Sequence, residues 1–310
     1  MSILRKQLDQ FLLDLAWSLW TELGVLGVKQ NHHSVLISIE ELVVLTAVLA
    51  EVDPRLRDES LDWCSQYHRL VSISRLKSIV KDMENSIQTA FSIYSASLNT
   101  LVGTNWPLFT NSSPLKISLS HKSCLRPLES PALLNVRARS LFTTGARADL
   151  ATFFLTHKQS DFAISDLKEL GYSKRNLAEI LDEFSSSGLF EKSQLRNQLR
   201  YRLAKKDQLA AILSPIPTYA PSWIHVLKVL LSLRQCIKRN EKTSESTLLV
   251  EIRNLLISIQ EQLQSLKLSP PGFQGNTNSY LTAFAEWLLN VSALLAQGKF
   301  PNSSFLKGFN

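Results

Sequence analysis

Two short runs of side chains have the types and spacing that contact with a polyanion requires. Ser173 is followed by Lys174, Arg175 and Asn176, and these head a stretch with apolar residues at Leu177, Ile180, Leu181 and Phe184. Cations and an amide on the first turn of an amphipathic helix come within reach of phosphate oxygens and base edges. Further along, two alternating stretches, 189–192 with Lys192 and 198–203 with Arg200 and Arg202, can pair around residues 193–197, which hold Arg196 and Asn197. In the second stretch Leu199, Tyr201 and Leu203 point one way, and Gln198, Arg200 and Arg202 the other. Residues 137–206 carry +5 of the chain's net +7. Basic charge gathered in one segment is what phosphate neutralisation with counterion release needs.

Other constellations have plainer readings. Cys64 and His68 stand four apart on an expected helix, but zinc wants three or four protein ligands and no third is signalled nearby. His32-His33 reads as a solvated turn. Asp53, Asp58, Glu59 and Asp62 alternate with Arg55 and Arg57, which suits helical ion pairs better than acid–base chemistry. The chain has no glycine-rich phosphate loop, no G-x-S-x-G and no H-E-x-x-H. No catalytic residue, metal or cofactor is therefore expected. Trp17, Trp20, Trp63 and Trp287 lie in apolar patterns and read as core.

The positioning elements are mostly helices. Leu4, Leu8, Phe11, Leu12, Leu15 and Leu19 recur at helical spacing, and Gly24 can end that helix. Residues 39–51 are apolar nearly all round and predict a buried helix. Asp53-Pro54 starts the next one, because proline tolerates the first helical position. Ser72 or Ser74 can cap another, and residues 82–102 predict a longer helix ending at Gly103. Residues 104–138 are punctuated by prolines, which exclude a continuous helix. They read as a connector, with alternation at 115–119 suggesting a short strand. A helix on Leu150, Phe153, Phe154 and Leu155 follows Gly145, then a short strand at 162–164. Ser165 is placed to cap a short helix over 166–170, Gly171 makes the turn, and Ser173 caps the helix over 173–187 that Gly188 ends. After the prolines of 215–221 come helices at 222–239, 246–267 and 279–297. In the second of these Leu249, Ile252, Leu256, Ile259, Leu263 and Leu266 form a stripe that suits an internal bundle or a dimer seam. The resulting expectation is a mainly α protein. It has a helical domain at 1–103, a connector at 104–138, a module at 139–213 and a helical region at 222–300.

Apolar residues make up 45% of the 310-residue chain and charged residues 20%, so disordered and collagenous classes are excluded. Three widely spaced cysteines argue for a reducing compartment. The N-terminus, with Asp9 and Asp14 in its apolar pattern, does not read as a signal peptide. No run approaches the length of uninterrupted apolar residues a membrane span needs. A cytoplasmic protein without membrane contact is expected.

The order helix, strand, helix, turn, helix, hairpin across 139–206 resembles the winged helix-turn-helix of bacterial MarR- and ArsR-type regulators. The resemblance is carried by Ile164-Ser165-Asp166-Leu167, Tyr172-Ser173-Lys174-Arg175-Asn176-Leu177 and Ser187-Gly188-Leu189-Phe190. The whole chain also resembles a family of uncharacterised bacterial winged-helix proteins, through Trp20-Thr21-Glu22-Leu23-Gly24-Val25 and Asp53-Pro54-Arg55-Leu56-Arg57-Asp58-Glu59. The resemblance implies a homodimeric transcriptional regulator binding double-stranded DNA. Ser173, Lys174, Arg175 and Asn176 would enter the major groove. Lys192, Arg196, Asn197, Arg200 and Arg202 would hold the flanking backbone. Glu179, Asp182 and Glu183 on the same helix depart from that pattern, and Arg175 stands four residues from Glu179. The alternative is a protein-binding adaptor or antitoxin-like partner protein that uses the module as an interaction scaffold.

Overall fold

The computed structural model describes residues 2–27, 30–273 and 276–300; Met1, Val28 and Lys29, which fall in the predicted first domain, lie outside the described residues. The protein is mainly helical, with one small antiparallel sheet of three strands. Helix α1 (Ser2–Leu23) stops at Gly24, whose φ of +108° an L side chain rarely adopts. A Cβ there would also fall 1.7 Å from the Cys124 carbonyl oxygen. All of α2 (Ile39–Leu49) is buried, Glu40 and Glu41 included. Asp53 caps α3 (Pro54–Tyr67) by accepting from the backbone N–H groups of Arg55 and Leu56, and it also accepts from Trp17 Nε1 at 2.8 Å. Ser72 caps α4 (Ile73–Lys81), and α5 (Asn85–Val102) ends on left-handed Gly103.

The strand suggested at 115–119 does not form. Residues 104–130 run without regular structure and bond to side chains instead of a neighbouring strand. Ser92 Oγ accepts from the N–H of Phe109 and Ser97 Oγ from that of Leu115, both at 2.9 Å. Asp62, read above as one of a set of helical ion pairs, is fully buried and accepts from the backbone of His121 at 2.7 Å and Ser123 at 3.0 Å.

Helix α6 (Leu134–Phe142) begins inside the predicted connector and leads to α7 (Ala146–Thr156) and β1 (Asp161–Ala163). A 3-10 helix, Ile164–Leu170, comes next. It starts earlier than predicted, and Asp166, not Ser165, closes its first turn by accepting from the N–H of Ala163 at 2.9 Å. Then come α8 (Lys174–Ser186), β2 (Phe190–Leu195), β3 (Gln198–Leu203) and α9 (Lys206–Leu213). The strand order is β1-β3-β2. Tyr201 pairs with Phe162 on one side and Lys192 on the other. The hairpin turn is tighter than predicted, because Leu195 already pairs with Gln198 and only Arg196 and Asn197 are left, Arg196 at φ 54°. Tyr201 and Leu203 enter the core, whereas Leu199 remains exposed near the tip.

After α10 (Trp223–Arg239), the predicted long helix is two: α11 (Glu245–Ser258) and α12 (Gln260–Ser265), broken at Ile259. Leu249, Ile252, Ile259 and Leu263 of its stripe are buried in the chain's own core, which assigns the stripe to an internal bundle. Helix α13 (Thr277–Ala296) packs along α1. Among the described residues α13 alone has the length and mean hydropathy of a membrane-crossing helix, although Asn278, Glu286 and Asn290 interrupt its apolar run. Its Tyr280, Phe284, Leu288 and Leu295 are nonetheless buried in the bundle.

One apolar core joins α1–α5 with α10–α13, so the helices at the two ends of the chain share one body. A second, smaller core takes in Leu134, Phe154, Leu177, Leu181, Phe184, Phe190 and Tyr201.

His32 differs from its predicted solvated turn. It is fully buried; its Nε2 donates to the Leu295 carbonyl at 2.8 Å, and its Nδ1 lies 2.7 Å from Ser18 Oγ, which can donate to it in the neutral ring. Burial lowers its pKa to about 4, against a weaker opposing effect of the bond to Leu295. The unfolded chain therefore binds a proton here before the folded one does. Stability is expected to be full above about pH 6.5 and to fall, by on the order of 3 kcal/mol, as pH drops towards 4. Urea unfolding of the parent and of His32→Gln across that range checks this; the variant should lose most of the pH dependence.

Candidate nucleic-acid interface

Helix α8 is fixed by its caps and its inner face. Gly171, at φ 75°, ends the 3-10 helix, with Ser78 Oγ close enough to crowd any side chain placed there. Ser173 Oγ accepts from the Asn176 N–H at 3.2 Å. Leu177, Ile180, Leu181 and Phe184 are buried, and Phe184 stacks on Phe190 of β2 with ring centroids 5.4 Å apart. Ser173, Lys174, Arg175 and Asn176 are all exposed, as are Glu179, Asp182 and Glu183 further along.

Buried charge holds α8 against the helical body. Glu40 and Glu41 of α2 have no access to water and meet two arginines from other helices. Arg139 of α6 lies 2.8 Å from Glu40 and 3.1 Å from Asp149 of α7. Arg75 of α4 lies 2.5 Å from Glu41 and donates to the Leu170 carbonyl at 3.2 Å. Tyr172, in the turn before α8, donates its hydroxyl to Asp149 Oδ2 at 2.8 Å and lies 3.2 Å from Ser72 Oγ of α4. Burial alone would raise the Asp149 carboxyl, but the two guanidiniums outweigh it and hold the group below the usual carboxylate range. Burial and the adjacent Asp149 charge both push the Tyr172 phenol up, so it stays a donor. These residues did not stand out in the sequence. The available signal was Glu40-Glu41 within an otherwise apolar helix, since buried carboxylates demand cations.

The predicted basic residues divide into two groups. Lys174 and Arg196 are exposed and, among the described residues, belong to no ion pair; Asn197 is exposed in the hairpin turn. Arg175 donates to Glu179 at 2.8 Å. Lys192 donates to Asp182 at 2.7 Å and lies over the Tyr201 ring, while the Tyr201 hydroxyl donates to the same carboxylate at 3.0 Å. The Lys192 contact holds the Asp182 carboxyl below its ordinary range. Arg202 pairs with its cross-strand partner Glu191. Arg200 is mostly covered, bonded to Asp161 and 4.0 Å from Asp166 at the base of the hairpin. Arg200 therefore differs from the expectation of a free backbone contact and ties β3 to β1. The local +5 also overstates the outer face. Arg139 is internal, and Arg137 donates to the carbonyls of Leu213 at 3.0 Å and Ser130 at 2.6 Å.

Among the described residues no three His, Cys, Asp or Glu side chains cluster as a metal site. Cys64 is buried, burial pushing its thiol up to about 12, and the Tyr94 hydroxyl lies 3.6 Å from its sulfur. His68 Nδ1 lies 3.4 Å from the Ser65 carbonyl.

Comparison with protein-family models, with curated proteins and with solved structures finds no match to this chain.

The buried and exposed ion pairs should respond differently to truncation. Arg139→Ala leaves Glu40 and Asp149 with only the more distant Arg75 as counter-ion, at 3.6 and 4.0 Å, and is expected to cost about 3–5 kcal/mol. Arg175→Ala removes an exposed pair and should stay within about 0.5 kcal/mol of the parent. Equilibrium urea unfolding of the two variants at pH 7 gives the comparison.

Proposed function

We propose that the elements from α6 to β3 form a winged helix-turn-helix and that the chain is a DNA-binding transcriptional regulator. The reading places α8 as the recognition helix and β2–β3 as the wing. The observation that carries it is the first turn of α8, where Ser173 to Asn176 are exposed together and Lys174 has no counter-ion among the described residues. A compact, capped helix start bearing a cation and an amide suits entry into a major groove. The antiparallel order β1-β3-β2 supports it, because it sets the hairpin tip with Arg196 and Asn197 beside the same module. The paired residues do not bar docking: Arg175, Lys192 and Arg202 sit in exposed ion pairs, and such pairs are worth little. A homodimer would present two α8 helices to half-sites about one duplex turn apart.

A specific observation also favours the adaptor reading. Glu179, Asp182, Glu183 and Glu191 share the outer face with the cations, so the face alternates in sign. Such a surface complements another protein better than it complements a uniform polyanion.

Titration of the full chain with a mixed-sequence duplex, from about 50 to 200 mM salt, separates the two. DNA docking predicts binding that weakens linearly in log–log form, with Lys174→Ala and Arg196→Ala each flattening the slope by about 1. No binding at the lowest salt, together with co-purification of a stoichiometric protein, would establish the adaptor instead.

A further inference from the structure

A groove of about 880 Å³ runs between the helical body and the start of α8. Arg69 and Ser74 border it on the body side, with Asn105 just after α5. Thr144, Ser173 and Asn176 face them from the smaller module. Its walls contain hydroxyls, amides and two arginines, and no aspartate or glutamate is among the described residues that line it. That absence contrasts with the outer face of α8, where carboxylates outnumber cations beyond the first turn. Of the two arginines, Arg147 has Glu183 as its counter-ion. Arg69 is exposed and, among the described residues, in no ion pair, and the Thr144 hydroxyl donates to its carbonyl at 2.7 Å, so the two walls are joined beside it. Three residues beyond Ser74 on α4, and outside the lining of the groove, Lys77 is exposed and among the described residues forms no ion pair. The uncapped first turn of α7 opens into the same wall at Gly145–Arg147, adding backbone N–H donors.

We infer that this groove seats a phosphodiester strand of the bound duplex, so that Arg69 and Lys77 of the helical body, and not the winged module alone, hold the nucleic acid. The inference rests on the DNA-binding reading and extends it to residues outside that module. Charge complementarity selects the occupant. A free arginine, hydroxyls and amides, with no carboxylate among the described lining residues, fit the oxygens of a phosphate chain. The groove also shares Ser173 and Asn176 with the first turn of α8, so a strand seated in it is continuous with one contacted by Lys174.

Arg69→Ala, Lys77→Ala, Arg69→Lys and Lys174→Ala, with Lys6→Ala on α1 as a charge control, are to be titrated with the same duplex over the same salt series. Arg69→Ala and Lys77→Ala should each flatten the log–log slope by about 0.9 and weaken binding about fivefold near 0.15 M salt. Arg69→Lys should retain the slope, and Lys6→Ala should leave it unchanged. If Arg69→Ala and Lys77→Ala match the control while Lys174→Ala still flattens the slope, the groove is not a phosphate seat and the DNA reading stands without it. If the parent binds no duplex at low salt, the reading and the inference fall together.

Discussion

The arrangement depends on keeping two glutamates charged where there is no water. Glu40 and Glu41 lie on a helix buried on every side, and isolated charges there would be prohibitive. They are tolerated because Arg75 and Arg139 reach them from two other helices. Each arginine also serves the smaller module, Arg139 through Asp149 and Arg75 through the Leu170 carbonyl. Ion pairs of this kind add little net stability over a well-packed apolar contact, but breaking one is costly. Their value here is directional. Apolar surfaces can slide over one another, whereas two guanidiniums set between fixed carboxylates allow one docking angle. Tyr172 passes that angle on to α8, since its hydroxyl touches both Asp149 and Ser72 immediately before the helix begins.

Two surfaces with different electrostatic character meet at the first turn of α8. Along the helix and hairpin, cations are matched by acids from neighbouring turns and strands. Toward the helical body the lining mixes polar and apolar side chains, with no carboxylate among the described lining residues. Ser173 and Asn176 belong to both surfaces. A partner approaching this corner meets alternating charge on one side and the single free Arg69 guanidinium on the other, which biases its orientation before close contact forms.

What could be read from the sequence was local. Asp53 and Ser173 act through side-chain bonds to the next few backbone N–H groups, Pro54 and the glycines at 103, 171 and 188 through their own backbone, and the helix boundaries they imply are found. Non-local partners were not legible. His32 looks like a polar turn residue until Ser18 and Leu295 close around it. Asp62 looks like one acid among several until residues 121 and 123 reach it from a distant loop. The fate of Arg202 turned on register. A five-residue loop over 193–197 would set Glu191 opposite Leu199, whereas the observed two-residue turn sets it opposite Arg202 and forms the pair. The buried network was the least accessible part, because its members come from α2, α4, α6, α7 and the turn before α8.

The shared core of α1–α5 and α10–α13 has a consequence for biosynthesis. The first five helices leave the ribosome with their apolar surfaces lacking the partners that α10 and α13 supply, and the whole smaller module is translated in between. That module closes its own apolar cluster and can do so earlier. During synthesis the smaller module's apolar cluster is complete before the helices that finish the larger core have been made. Chaperone demand and vulnerability to truncation should concentrate in the interval between the two.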